Sequence, residues 1–207
     1  MDPAPSVRPW RSRALRHAAE LLTVFAGVTA AFLLDECRGR AAEREALDQA
    51  RSGIVTELGR YEVRALEYAD SIRESVERWR RADVTGQRAV PDLYRIPGAT
   101  HPPTAAWDAA VSSGVASMFD PELRLELGYF YTEFVGIHDD YARYRAFSER
   151  EILPRVELGA NAFYDADGRL HPEIRTHMAL LAAFSEDLRR ISVLAGELKE
   201  RLIADAR

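Results

Sequence analysis

Cysteine, lysine and side-chain amides are nearly missing from this chain of 207 residues. Cys37 is the single cysteine, which excludes an intrachain disulfide framework and any cysteine-rich zinc or iron-sulfur site. Of the 28 basic residues 27 are arginine, with Lys199 alone as lysine, and the amides are Gln49, Gln87 and Asn161. That bias points to a GC-rich bacterial genome. The familiar catalytic signatures are missing as well: no GxSxG elbow, P-loop, dinucleotide fingerprint or HExxH occurs. The histidines His17, His101, His138, His171 and His177 have no paired metal-ligand spacing, and neighbours in His138-Asp139-Asp140 point to different faces of a helix. Asp165-Ala166-Asp167-Gly168 begins like a calcium loop, yet Thr176 stands where the closing glutamate belongs, so the stretch reads as a plain turn. Ser112-Ser113-Gly114 has no identifiable base. The expectation is therefore a protein with no catalytic residues, no cofactor and no metal. No segment alternates with period two for long, which argues against a sheet.

What is present is the composition of an ordered protein, with 47% hydrophobic residues and a net charge of -5. The length suits one domain plus an appendage, enough to bury a core without staples. The mildly acidic balance argues against a nucleic-acid partner. Residues 1–17 combine Pro3, Pro5 and Pro9 with Arg8, Arg11, Arg13 and Arg16, and read as a flexible basic arm.

From Leu21 to Leu34 runs LLTVFAGVTAAFLL, fourteen residues without a charge. A helix of that length spans about 21 Å, short of a bilayer core. Between Arg16 and Arg38 lie 21 residues, about 31 Å of helix, and arginine stems can carry their heads to the interface. A cleavable signal peptide is disfavoured because Asp35-Glu36-Cys37-Arg38-Gly39 follows in place of an A-x-A site. Lipidation at Cys37 is disfavoured too, since acids and not small residues precede it. The expectation is an uncleaved membrane anchor over residues 18–37. The alternative is a soluble helical binding module with residues 21–34 as a buried core helix, but apolar residues cover all faces of the segment, not one stripe. The arginine counts on the two sides are nearly balanced, and the short free arm favours a cytoplasmic N-terminus with the C-terminal domain outside. Glu20, Thr23, Gly27 and Ala31 follow one another at three- and four-residue steps and make a small, polar face for contact with a second helix. The lipid bilayer and a second copy or a helical protein partner are the expected partners; no small-molecule ligand can be named.

The run HAAELLTVFAGVTAAFLLDECRGRAAEREALDQARSGIVTELGRYE, residues 17–62, resembles a group of uncharacterised bacterial single-pass inner-membrane proteins. In that group a short anchor led by a glutamate runs into an arginine- and glutamate-rich helix. The resemblance places the leading acid at Glu20, the polar exit at Asp35 to Arg38 and the start of the long helix at Ala41 to Leu58. Residues 104–134, TAAWDAAVSSGVASMFDPELRLELGYFYTEF, are similar to the tryptophan-containing helix, small-residue turn and tyrosine-bearing helix of the same group. The likeness implies topology and location in the inner membrane, and no activity.

Residues 38–207 read as helices. Ile54, Leu58, Tyr61, Ala65, Tyr68, Ile72, Val76 and Trp79 recur at near-heptad spacing, with glutamate and arginine on the opposite face. This helix is expected to run from about Ala41 to Ala82, continuous with the anchor, with Gly53 and Gly59 marking close packing. Four prolines and two glycines make residues 83–103 a long loop. Thr104 is the expected cap of a short helix carrying Trp107, and Asp120-Pro121 a strong start for the next. Leu123, Leu127, Phe130, Phe134, Ile137, Tyr141 and Tyr144 form a second seam, expected to end at Pro154. After a turn at residues 159–168, Pro172 opens a last helix with Ile174, Met178, Leu181, Phe184, Leu188, Ile191, Leu194, Leu198 and Leu202 as its stripe. The fold class is all-α: a transmembrane helix continuing into an antiparallel bundle of three long helices and one short one. Its aromatic residues Tyr129, Phe130, Tyr131, Phe134, Tyr141, Tyr144 and Phe147 are read as core, with a pocket lining as the second reading.

Overall fold

The computed structural model describes the backbone of residues 9–90 and 104–205; within it the side chains of residues 9–20, 23 and 24 are not described. The chain divides into two units, Met1–Asp48 and Gln49–Arg207. The described residues are helical, and their one extended pairing is an isolated bridge between Tyr164 and Leu170. The helices are α1 (Pro9–Val84), α2 (Ala105–Ser112), α3 (Pro121–Phe147), α4 (Leu153–Glu157) and α5 (Pro172–Ala204). Helix α1 contributes to both units.

In the first unit no described side chain of α1 is buried. In the second unit it has an apolar seam: Ile54, Leu58, Tyr61, Ala65, Ala69, Ile72 and Val76 are buried. Ala69 takes the place expected of Tyr68, which keeps the steps at three and four. Helix α3 buries Leu123, Leu127, Phe130, Tyr131, Ile137, Tyr141 and Tyr144; α5 buries Ile174, Met178, Leu181, Phe184, Leu188, Ile191, Ala195, Leu198 and Leu202. These stripes face one another because only mutual burial removes them from water.

Polar contacts fix the directions. Arg51 meets Asp205 at 2.7 Å, Lys199 meets Glu62 at 2.5 Å, and Arg189 meets Asp70, so α1 and α5 run in opposite senses. Arg201 with Glu126, Arg190 with Glu133 at 2.5 Å and His177 with Ser148 at 3.3 Å give the same relation between α3 and α5. Consequently α1 and α3 run in the same direction, and Tyr131 donates to Glu57 at 2.9 Å between them. The three long helices thus make two antiparallel pairs, α1 with α5 and α3 with α5, and one parallel pair, α1 with α3. Chain direction depends on where the connection from Val84 to Thr104 leads, and no local periodicity records that.

Of three local expectations, one holds and two change. Asp120 does cap α3, accepting from the amides of Glu122 at 3.0 Å and Leu123 at 3.2 Å with Pro121 in the first turn. Thr104, by contrast, does not cap α2: its hydroxyl donates to Asp108 at 2.6 Å, and Glu57 of α1 accepts the Ala106 amide at 2.8 Å instead. The close approach this needs is provided by Gly53, where a Cβ would stand 3.2 Å from that of Ala106. Gly59 is looser, 3.7 Å from Lys199. Finally, Pro154 does not end the helical run. Residues Ser148–Ile152 form a π-turn in which the Leu153 amide reaches the Ser148 carbonyl, and α4 follows with Pro154 in its first turn. Widening the turn there relieves the clash that a proline ring makes with the carbonyl four residues earlier.

Behind the π-turn, Ile152, Phe163, Tyr164, Leu170 and Ile174 form an apolar cluster with Trp79 and Phe147 against it. The Tyr164 hydroxyl bonds both the amide and the carbonyl of Ala89 at 3.0 Å. The Asp165-to-Gly168 stretch is a turn: the Asp165 carboxylate accepts from the Arg169 amide at 2.8 Å and Gly168 takes a φ of 75°.

Candidate functional site

Two places in the molecule carry features that packing of the second unit does not require. The first is the uncharged stretch of α1. Leu21, Leu22, Phe25, Phe32, Leu33 and Leu34 are each 57–72% exposed and Val28 is 49% exposed. Successive helical residues turn by about 100°, so Phe32, Leu33 and Leu34 present three different faces. Fully exposing rather than burying seven such side chains costs on the order of 10 to 20 kcal/mol, an unusual load for a surface that faces water. The Thr29 hydroxyl donates to the Phe25 carbonyl of its own helix at 2.8 Å. At the exit, Arg40 pairs with Glu36 at 2.5 Å one turn apart.

Of the four residues expected to form a contact face, the side chains of Glu20 and Thr23 lie outside the described residues. Gly27 has nothing within 4 Å of the position its Cβ would take, and Ala31 is exposed. Among the described residues no helix is long and apolar enough to cross a membrane. The arginine-flanked stretch of residues 17–37 begins before the described side chains do.

The second place lies between α3 and α5 at the π-turn. His177 is 5% exposed, and its ring stacks on Tyr144 at 4.6 Å and Phe147 at 4.4 Å between centroids. Its Nε2 stands 3.3 Å from the Ser148 hydroxyl, itself buried. Burial pushes the His177 pKa down to about 4, so the ring is neutral at physiological pH. The ring forms part of the wall of an open cavity of about 800 Å³, with Leu180, Leu181 and Phe184 as further apolar lining and Asp140, Arg143, Arg150, Glu173 and Asp187 at its edge. Its charges are already paired nearby: Arg143 with Asp140, Glu173 with Arg155 and Asp187 with Arg190.

Sequence reasoning set His177 aside for lack of a partner at metal-ligand spacing. Its partner is a serine 29 residues away, and the one local signal was the proline that forces the π-turn beside it. Among the described hydrogen bonds, the partner of the His177 ring is the Ser148 hydroxyl, with no carboxylate on the ring's other nitrogen. No cluster of three or more metal-binding side chains occurs among the described residues; His17 and His101 lie outside them. The hydroxyls of Ser112 and Ser113 bond the Ala109 carbonyl at 3.2 and 2.7 Å. Most of the aromatic group is core: Phe130, Tyr131, Tyr141 and Tyr144 are buried, whereas Tyr129 is 67% exposed. Burial and the Glu57 carboxylate hold the Tyr131 phenol protonated far above its usual range.

Comparison with protein-family models, with curated protein sequences and with solved structures finds no match to this chain.

Proposed function

We propose that this chain is a non-enzymatic single-pass protein of the bacterial inner membrane, with residues 18–37 as its anchor. Its N-terminal arm is cytoplasmic, and its helical bundle domain lies in the periplasm, where it acts in protein-protein interaction, scaffolding or sensing. The observation that carries this reading is the helix of Leu21 to Leu34, which shows large apolar side chains on every side. Lipid is the surrounding that removes such a surface from water without a packed partner, and the internal bond of Thr29 suits it, since hydrocarbon offers a hydroxyl nothing else to bond. Arg16 and Arg38 flank this segment in the sequence, and arginine stems are long enough to carry a charge to an interface.

A topology fusion tests the orientation. Alkaline phosphatase joined after Arg207 is active in this reading, and a cytoplasmic reporter at the same position is silent; the reverse pattern places the domain inside the cell.

Within the same reading, Glu20, Thr23, Gly27 and Ala31 form the face on which two anchors meet, making a homo-oligomer. Gly27→Ile removes the close approach and lowers self-association several-fold in a membrane reporter assay. An unchanged signal discards this face.

A further inference from the structure

We propose that the corner of the second unit formed by the end of α3, the π-turn and the first turns of α5 is an acid-opened switch, with His177 as its trigger and Ser148 as its latch. The inference stands whether or not the chain is anchored. Three geometric observations support it. His177 sits at the α3–α5 seam, with Tyr144 and Phe147 stacked on its ring and Ser148 at its Nε2. At that level the α-helical ladder of α3 gives way to the π-turn Ser148–Ile152. The ring also borders an open cavity, so water reaches the seam without unfolding the rest of the domain.

Protonation puts a charge where nothing described neutralises it. The charged groups lining the same cavity are Asp140, Arg143 and Arg150 from α3 and the π-turn, and Glu173 and Asp187 from α5. The hydrogen-bonding partner of the His177 ring among the described residues is the Ser148 hydroxyl, and burial alone depresses the ring's pKa. A buried, unpaired imidazolium is costly, and rotation into the cavity or separation of α3 from α5 solvates it. Opening uncovers the apolar cluster of Ile152, Phe163, Tyr164, Leu170 and Ile174 behind Phe147, a surface that a protein partner can recognise. The closed corner binds fewer protons than the open one. Closure is therefore complete above about pH 6.5, the ordinary value for histidine, and is lost as pH falls towards the folded value of about 4.

Amide hydrogen exchange on the full-length chain in detergent micelles, between pH 7 and 4.5 and corrected for intrinsic chemical exchange, tests this. The expected result is that amides of residues 144–181 lose protection by up to tenfold per pH unit below 6.5. Those of Ile54 to Val76 in α1 hold theirs, and His177→Gln, which keeps a hydrogen-bonding group near Ser148, flattens the response. Uniform loosening of α1, α3 and α5 overturns the proposal, as does a wild-type profile that coincides with that of His177→Gln. Should that variant fail to fold, the wild-type imidazole resonance decides. A ring titrating well below 6.5 in step with the local opening supports the switch, and a ring titrating near 6.5 without opening overturns it.

Discussion

Val28→Arg combined with Phe32→Arg transfers the chain from the membrane to the soluble fraction. Both side chains stand exposed on the uncharged stretch of α1, one turn apart. A charge near the centre of a spanning helix costs roughly 2.5 to 3.5 kcal/mol for insertion. Two such charges amount to about 5 to 7 kcal/mol, or four to five orders of magnitude in partitioning. Arginine is a good helix former, so helicity by circular dichroism is expected to be unchanged. A double variant that sediments with membranes as fully as the parent contradicts the expectation.

Phe130→Ala has the largest expected effect on the folded domain. Phe130 is fully buried, meets Tyr131 edge-on at 5.2 Å, and lies 6.0 and 6.1 Å from the rings of Tyr61 and Phe134. Truncation removes its transfer energy and leaves a cavity among neighbours that α1 and α3 hold in place, costing about 3 to 5 kcal/mol. For a domain of this size that lowers the melting temperature by roughly 6 to 20 °C. Val193→Ala, at a side chain 60% exposed, is the control and should stay within about 0.5 kcal/mol of the parent. A Phe130→Ala melting temperature within about 2 °C of the parent means that this ring is not a keystone of the core.

The two substitutions fall on the two kinds of apolar residue that the chain contains, and the sequence separates them well. Seams at three- and four-residue steps, as from Ile54 to Val76, are buried; a stretch that is apolar all round, as from Leu21 to Leu34, is not. Strong local chemistry was legible too, as at Asp120-Pro121, where cap and helix start coincide. What escaped detection was decided by residues far apart in the chain. Thr104 looks like a cap, but the Glu57 carboxylate, 49 residues before Ala106, takes the amide of Ala106 instead. Pro154 looks like a stop, but the turn before it widens and the helix goes on. The directions of α1 and α3 depend on a connection whose path leaves no periodic trace. The pairing of Ser148 with His177 is of the same kind: each residue alone is unremarkable, and only the fold of α5 back along α3 joins them.

The anchor is the claim on which location, orientation and self-contact rest, and extraction of native membranes with alkaline carbonate tests it most directly. The full-length, unprocessed chain should remain with the lipid and be released by detergent alone. Its recovery as a dispersed monomer in detergent-free buffer would contradict the account.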